Sequence, residues 1–129
     1  RELGADHTIG RDDALPANTY DAVVDLVAGP RWPSLLDALK QGGRYVTAGA
    51  IGGPIVELDV RTLYLRDLSL FGSTYQPENI LKDVISYADA GEINPMIAET
   101  WPLSGLVDAQ KSFLDKKYLG KIVLDLSKE

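Results

Sequence analysis

The stretch from Tyr20 to Gly49 constrains the fold more than any other part of the chain: it reads YDAVVDLVAG, then PRWPSLLDALKQ, then a glycine pair, then RYVTAG. Two apolar segments flank an amphipathic one, in which Trp32, Leu35, Leu36 and Leu39 recur at i, i+3, i+4 and i+7 and share one helix face. A strand that returns parallel to its predecessor needs such a helical crossover. Open parallel sheets bind ligands at the carboxyl ends of their strands, so function is to be sought just after Val27 and just after Thr47.

The remaining elements follow from similar signals. Ala22 to Val27 is rich in valine and suits a strand buried on both faces, and Arg44 to Ala48 is the next strand. Pro33 stands near the helix start, and Gly42-Gly43 is expected to end that helix. Before it, Leu3 to Asp6 reads as a helix end, His7 to Ile9 as a short strand and Gly10 to Asn18 as a loop. Asp59 is expected to cap a short helix reaching about Arg66, with a strand from Leu68 to Thr74 behind it. Pro77 then opens a helix with Ile80, Leu81, Val84, Ile85 and Ala88 on one side, closed by Gly91. Met96 to Trp101 is predicted as a strand. Ser104 is the expected cap of a last helix with Leu106, Val107, Phe113 and Leu114 inward, and Lys121 to Leu126 is the final strand.

With 129 residues, 45% of them hydrophobic, the chain can bury one core but hardly two. A net charge of −6 argues against a nucleic-acid groove or an anionic membrane surface, both of which reward clustered cations. The one local cluster, Lys116, Lys117 and Lys121, reads as a solvated helix end. No apolar run approaches the roughly 20 residues that span a bilayer, so a cytoplasmic protein is the default expectation.

Side chains for metal or nucleophilic chemistry are scarce. There is no cysteine and a single histidine, His7, so no catalytic triad and no zinc site built from this chain alone is expected. The adjacent Asp12 and Asp13 are expected to face water. The better candidates are backbone positions. Ala28 and Gly29 follow one strand, and Ala48, Gly49 and Ala50 follow the next. Small residues at two neighbouring strand ends let a flat ligand approach the main chain; the alternative is that they only make turns.

The stretches LGADHTI, YDAVVDLVAG, LLDALKQGGRYVTAGAIGG, RDLSLFGSTY and GKIVLDLSK, in this order, resemble the medium-chain dehydrogenase/reductase superfamily, which holds zinc alcohol dehydrogenases and zinc-free quinone oxidoreductases. The resemblance implies an α/β fold: a partial Rossmann domain, a doubly wound parallel sheet lacking its first two strands, over residues 1–76. The C-terminal return segment of a GroES-like catalytic domain would follow over 77–129. His7 to Ile9 would then be the third Rossmann strand, Ala22 to Val27 the fourth, Arg44 to Ala48 the fifth and Leu68 to Thr74 the sixth.

By the same resemblance Val27 and Ala28 line the cofactor ribose, Ala48, Gly49 and Ala50 form the turn beside the nicotinamide ring, and Ser73, Thr74 and Tyr75 hold its carboxamide through their main chain. Lys121 would touch the diphosphate, as a point charge where some members carry the planar fork of an arginine. The implied cofactor is NAD or NADP, with NADP slightly favoured, and zinc enters only through residues upstream of this chain. The implied partners are that nucleotide, a small-molecule substrate and a second copy joined through Leu68 to Thr74. No residue of the chain is assigned a catalytic role, and a fragment of this extent is expected to be inactive, with unpaired strand edges that recruit another chain or rearrange. Two alternatives stand beside this reading: an S-adenosylmethionine-dependent methyltransferase, which shares the strand–helix–glycine–strand pattern but ends in an antiparallel hairpin, and a non-catalytic interaction module.

Overall fold

The computed structural model describes residues 3–115 and 117–127. They fall into two compact units, Arg1–Tyr75 and Gln76–Glu129. Within the first, β1 (Tyr20–Asp25) is followed by a 3-10 turn, Gly29–Arg31, and by α1 (Trp32–Ala38). Next come β2 (Leu39–Thr47), α2 (Val60–Leu65) and β3 (Ser69–Gly72).

The three strands form one parallel sheet in the order β1-β2-β3. Val24 stands opposite Val46, and Val46 opposite Phe71. The expected crossover geometry is therefore present. Period-two alternation sends Val23, Tyr45 and Leu70 to one face, where they join a core of Trp32, Leu36, Leu39 and Leu68 with Val56, Leu58 and Leu63 around it.

The other face is not covered by any described residue of this unit. Val24 stays 70% exposed and Phe71 52%, which corrects the expectation of a strand buried on both sides. The reason is geometric: α1 and the segment before β3 both pack on the Tyr45 face.

Two further expectations change in this unit. Residues 7–9 form no strand, because a single extended segment without a ladder partner is not stable in water. The helix ends at Ala38 rather than at the glycine pair, Leu39 being already extended. Gly42, at φ 73°, turns the chain inside the run that becomes β2. The helix end is held by Arg66, whose guanidinium donates to the carbonyls of Leu36 at 3.0 Å, Asp37 at 3.4 Å and Leu39, and to Asn18 Oδ1 at 2.9 Å. The Leu36 carbonyl also accepts from the Leu39 amide and the Asp37 carbonyl from the Asn18 amide at 2.9 Å, so the guanidinium adds a charged second donor at the helix end. Asp59 caps α2 as expected, accepting from the Arg61 amide at 2.9 Å.

The second unit holds α3 (Glu78–Asp89), β4 (Ile97–Pro102), α4 (Leu106–Asp115) and β5 (Lys121–Asp125). β4 and β5 pair parallel, with Thr100 opposite Val123. Glu99 ties α4 to β4, accepting from Trp101 Nε1 at 2.7 Å and from Ser112 Oγ at 3.0 Å. Ser104 does not cap α4 but lies within a 3-10 turn, Leu103–Gly105. Of the described residues of the last helix only Ala109 is buried; Leu106, Val107, Phe113 and Leu114 are exposed, as are Ile80, Leu81, Val84 and Ile85 of α3, so neither apolar stripe is fully covered by the described residues of this unit. Lys117 pairs with Asp115 at 3.0 Å, and Lys116 lies outside the described residues.

Candidate functional site

The site is built at the carboxyl ends of β1, β2 and β3. Asp25 closes β1 and is 6% exposed. A carboxylate so placed is costly unless its oxygens are hydrogen-bonded. Oδ1 accepts from the amides of Val27 at 2.8 Å and Ala28 at 2.9 Å, and Oδ2 accepts from the Tyr45 hydroxyl. Tyr45 itself is fully covered, its ring edge-on against Trp32 with centroids 4.8 Å apart. Burial alone would raise the Asp25 carboxyl; donation from Tyr45 and from the Ala28 and Val27 amides outweighs it and holds the group below its ordinary value. The Tyr45 phenol is pushed up by burial first, then by the hydrogen bond and charge of Asp25.

The turns beyond β1 and β2 are latched together. The Ala48 amide donates to the Asp25 carbonyl at 3.0 Å and the Gly52 amide to the Val27 carbonyl at 2.7 Å. The approach is too close for side chains: a Cβ on Gly49 would meet the Leu26 carbonyl oxygen at 2.4 Å, and one on Gly29 would meet that of Gly52 at 2.3 Å. Ala28 takes φ 55° and ψ −150°, a region that costs a residue with a side chain about 1–3 kcal/mol. The third tip joins through the Ser73 amide, which donates to the Thr47 carbonyl at 2.9 Å.

Val27, Ala28, Ala48, Gly49 and Ala50 are thus brought together, with Ser73 next in line at the tip of β3 and Thr74 and Tyr75 exposed behind it. Lys121 opens β5 in the second unit, its amide donating to the Met96 carbonyl at 2.8 Å. The Val27 carbonyl and the Ala48 amide are both engaged within the protein. The Asp25–Tyr45 pair was not anticipated. Its signal was there to read, since an aspartate inside a valine-rich strand must find donors once the strand packs.

Beside the latched turns lies a recess of about 360 Å³ lined by Gly29, Trp32, Gly52, Gly53, Val56 and Glu57, among others. The Trp32 indole N–H is buried and has no hydrogen-bond partner among the described residues. A roomier recess of about 450 Å³ sits in the second unit, between α4 and β5. Its lining of Leu106, Ala109, Phe113, Leu114, Ile122 and Leu124 with Gln110 offers no ionisable group, whereas Glu57 lines the smaller recess, whose wall includes none of Val27, Ala28, Ala48, Gly49 and Ala50. His7 is exposed in the loop before β1. Among the described residues no three His, Cys, Asp or Glu side chains are grouped to hold a metal.

Residues 3–124 match the family described as zinc-binding dehydrogenase. The chain belongs to that family, within the medium-chain dehydrogenase/reductase superfamily. Quinone oxidoreductase-like protein 2 of Bos taurus is 30% identical over 115 residues, covering 82% of this chain and 33% of that protein. The solved structure of a thermostable alcohol dehydrogenase from Pyrobaculum aerophilum is 31% identical with a TM-score of 0.78, over 94% of this chain and 36% of that one. Bacillus subtilis protein yhfP, solved with NAD bound, is 26% identical with a TM-score of 0.70, over 88% and 36% respectively. The chain spans about a third of the length of the curated relatives it matches. No helix among the described residues is long and apolar enough to cross a membrane.

Proposed function

We propose that the tips of β1, β2 and β3 form the floor for a nicotinamide nucleotide, NAD or NADP with NADP slightly favoured, in an oxidoreductase. The carrying observation is the latch between the two turns, where glycines at 29 and 49 allow a main-chain approach too close for a Cβ. Such a floor suits a flat, partly apolar ring. Val27 and Ala28 would face the ribose, Ala48 to Ala50 the nicotinamide, and Ser73 to Tyr75 the carboxamide.

When bound, the nucleotide supplies hydride chemistry toward a carbonyl, an alcohol or an activated alkene. The residues of this chain would hold and orient it. No step is assigned to zinc, for which these residues provide no donor set. The outer edge of β3 has no partner strand among the described residues, and it would pair with its copy to form a homodimer.

Titrating the full-length protein with NADH, NADPH and S-adenosylmethionine while following nucleotide fluorescence and heat of binding tests this reading. Binding of a nicotinamide nucleotide alone is the expected result. Binding of S-adenosylmethionine, or of none of the three, would overturn it.

A further inference from the structure

We infer that Asp25 and Tyr45 are positioning residues that set the shape of the nucleotide floor, an inference that rests on the nicotinamide reading above. One carboxylate joins three elements: it ends β1, it receives Tyr45 from β2, and through two amides it fixes the turn leading to α1. Tyr45 cannot swing away, because Trp32 closes against the edge of its ring.

The consequence falls on Ala28. Its backbone occupies a conformation that favours glycine, and it stays there because its own amide and that of Val27 converge on a single oxygen of Asp25. The same turn aims the Val27 carbonyl at the Gly52 amide. Releasing Asp25 therefore relaxes the turns after both β1 and β2, the segments against which the nucleotide would lie. A role in core stability alone would move the unfolding midpoint. A positioning role also moves nucleotide affinity in protein that remains folded, and that affinity returns when the strain at position 28 is removed.

The experiment titrates NADH and NADPH into full-length wild type, Asp25→Ala, Asp25→Asn, Tyr45→Phe and Asp25→Ala/Ala28→Gly, each checked for folding by circular dichroism. Losing two charge-assisted amide bonds predicts affinity weakened about tenfold or more in Asp25→Ala. Asp25→Asn keeps an acceptor for both amides and lets Tyr45 reverse its hydrogen bond, so it loses less than about threefold. Ala28→Gly returns the affinity of Asp25→Ala toward wild type. Unchanged affinity in Asp25→Ala, or a loss that Ala28→Gly does not recover, would overturn the inference. Should Asp25→Ala fail to fold, Tyr45→Phe decides, since it keeps the ring on Trp32 and removes one donor. A loss of about threefold or more supports the inference, and wild-type affinity overturns it. Wild type that binds neither nucleotide would instead remove the underlying reading, and the inference with it.

Discussion

The amide of Gly52 donates to the carbonyl of Val27 at 2.7 Å, so the turn that follows β2 is fastened to the turn that follows β1. A parallel pair aligns two strand ends, and this bond makes them one surface. Its geometry depends on glycine at the point of closest approach.

Gly29 has φ 78°, and an added Cβ would sit 2.3 Å from the Gly52 carbonyl oxygen. Gly42 has a similar φ, 73°, with nothing within 4 Å of the Cβ position. Gly42→Ala is expected to cost only the left-handed backbone, about 1–2 kcal/mol. Gly29→Ala adds a backbone clash and is expected to cost distinctly more. Urea unfolding midpoints of the two variants check the ranking; equal losses would show that the latch tolerates displacement.

Arg66 holds the end of α1 by several hydrogen bonds from one guanidinium, reaching the carbonyls of Leu36, Asp37 and Leu39. Arg66→Met keeps much of the stem and removes a charged donor from carbonyls of which Leu36 and Asp37 keep the amides of Leu39 and Asn18, so a loss of about 1–2 kcal/mol is expected by denaturant unfolding. Arg66→Lys should recover a minor part, because an ammonium cannot span the same set of acceptors.

Stability should fall at both ends of the pH scale through one pair. The folded Asp25 carboxyl titrates below its ordinary 3.8, so its contribution is complete above that value and is lost as the pH drops through the lower folded value. The folded Tyr45 phenol titrates above its ordinary 10.0, so its contribution is complete below 10.0 and is lost as the pH rises beyond it. Urea midpoints against pH should show the acid limb flattened in Asp25→Asn and the alkaline limb flattened in Tyr45→Phe. Limbs unchanged in both variants would contradict the assignment.

The Ser73 amide points toward β2, so by alternation the amide of Gly72 faces the outer edge of β3. Gly72→Pro removes that outward donor and leaves the ladder to β2 intact. If the proposed pairing of copies is right, light scattering should report a dimer for the full-length wild type and a shift toward monomer for the variant.

What could be read from the residues was whatever depends on neighbours in the chain. The parallel register of Val24 with Val46 follows from two apolar runs around an amphipathic helix, and the Asp59 cap follows from its place before α2. What could not be read depends on distant partners. His7 to Ile9 has strand-like composition, but a strand exists only where a ladder accepts it. Gly42-Gly43 looks like a helix stop, yet the chain leaves the helix at Ala38, where the amides of Asn18 and Thr19 and the guanidinium of Arg66 take the terminal carbonyls. Within the site the small residues at both tips were legible as turn formers. That Val27 would spend its carbonyl on Gly52, and Tyr45 its hydroxyl on Asp25, lies in tertiary contacts 20 or more residues apart.

Hydrogen–deuterium exchange on the full-length protein, with and without saturating NADH or NADPH, tests the central claim most directly. The account predicts that the nucleotide slows exchange in the segments around Val27 to Gly29, Ala48 to Gly53 and Ser73 to Tyr75. Protection confined to other parts of the protein, with those three segments unchanged, would contradict it.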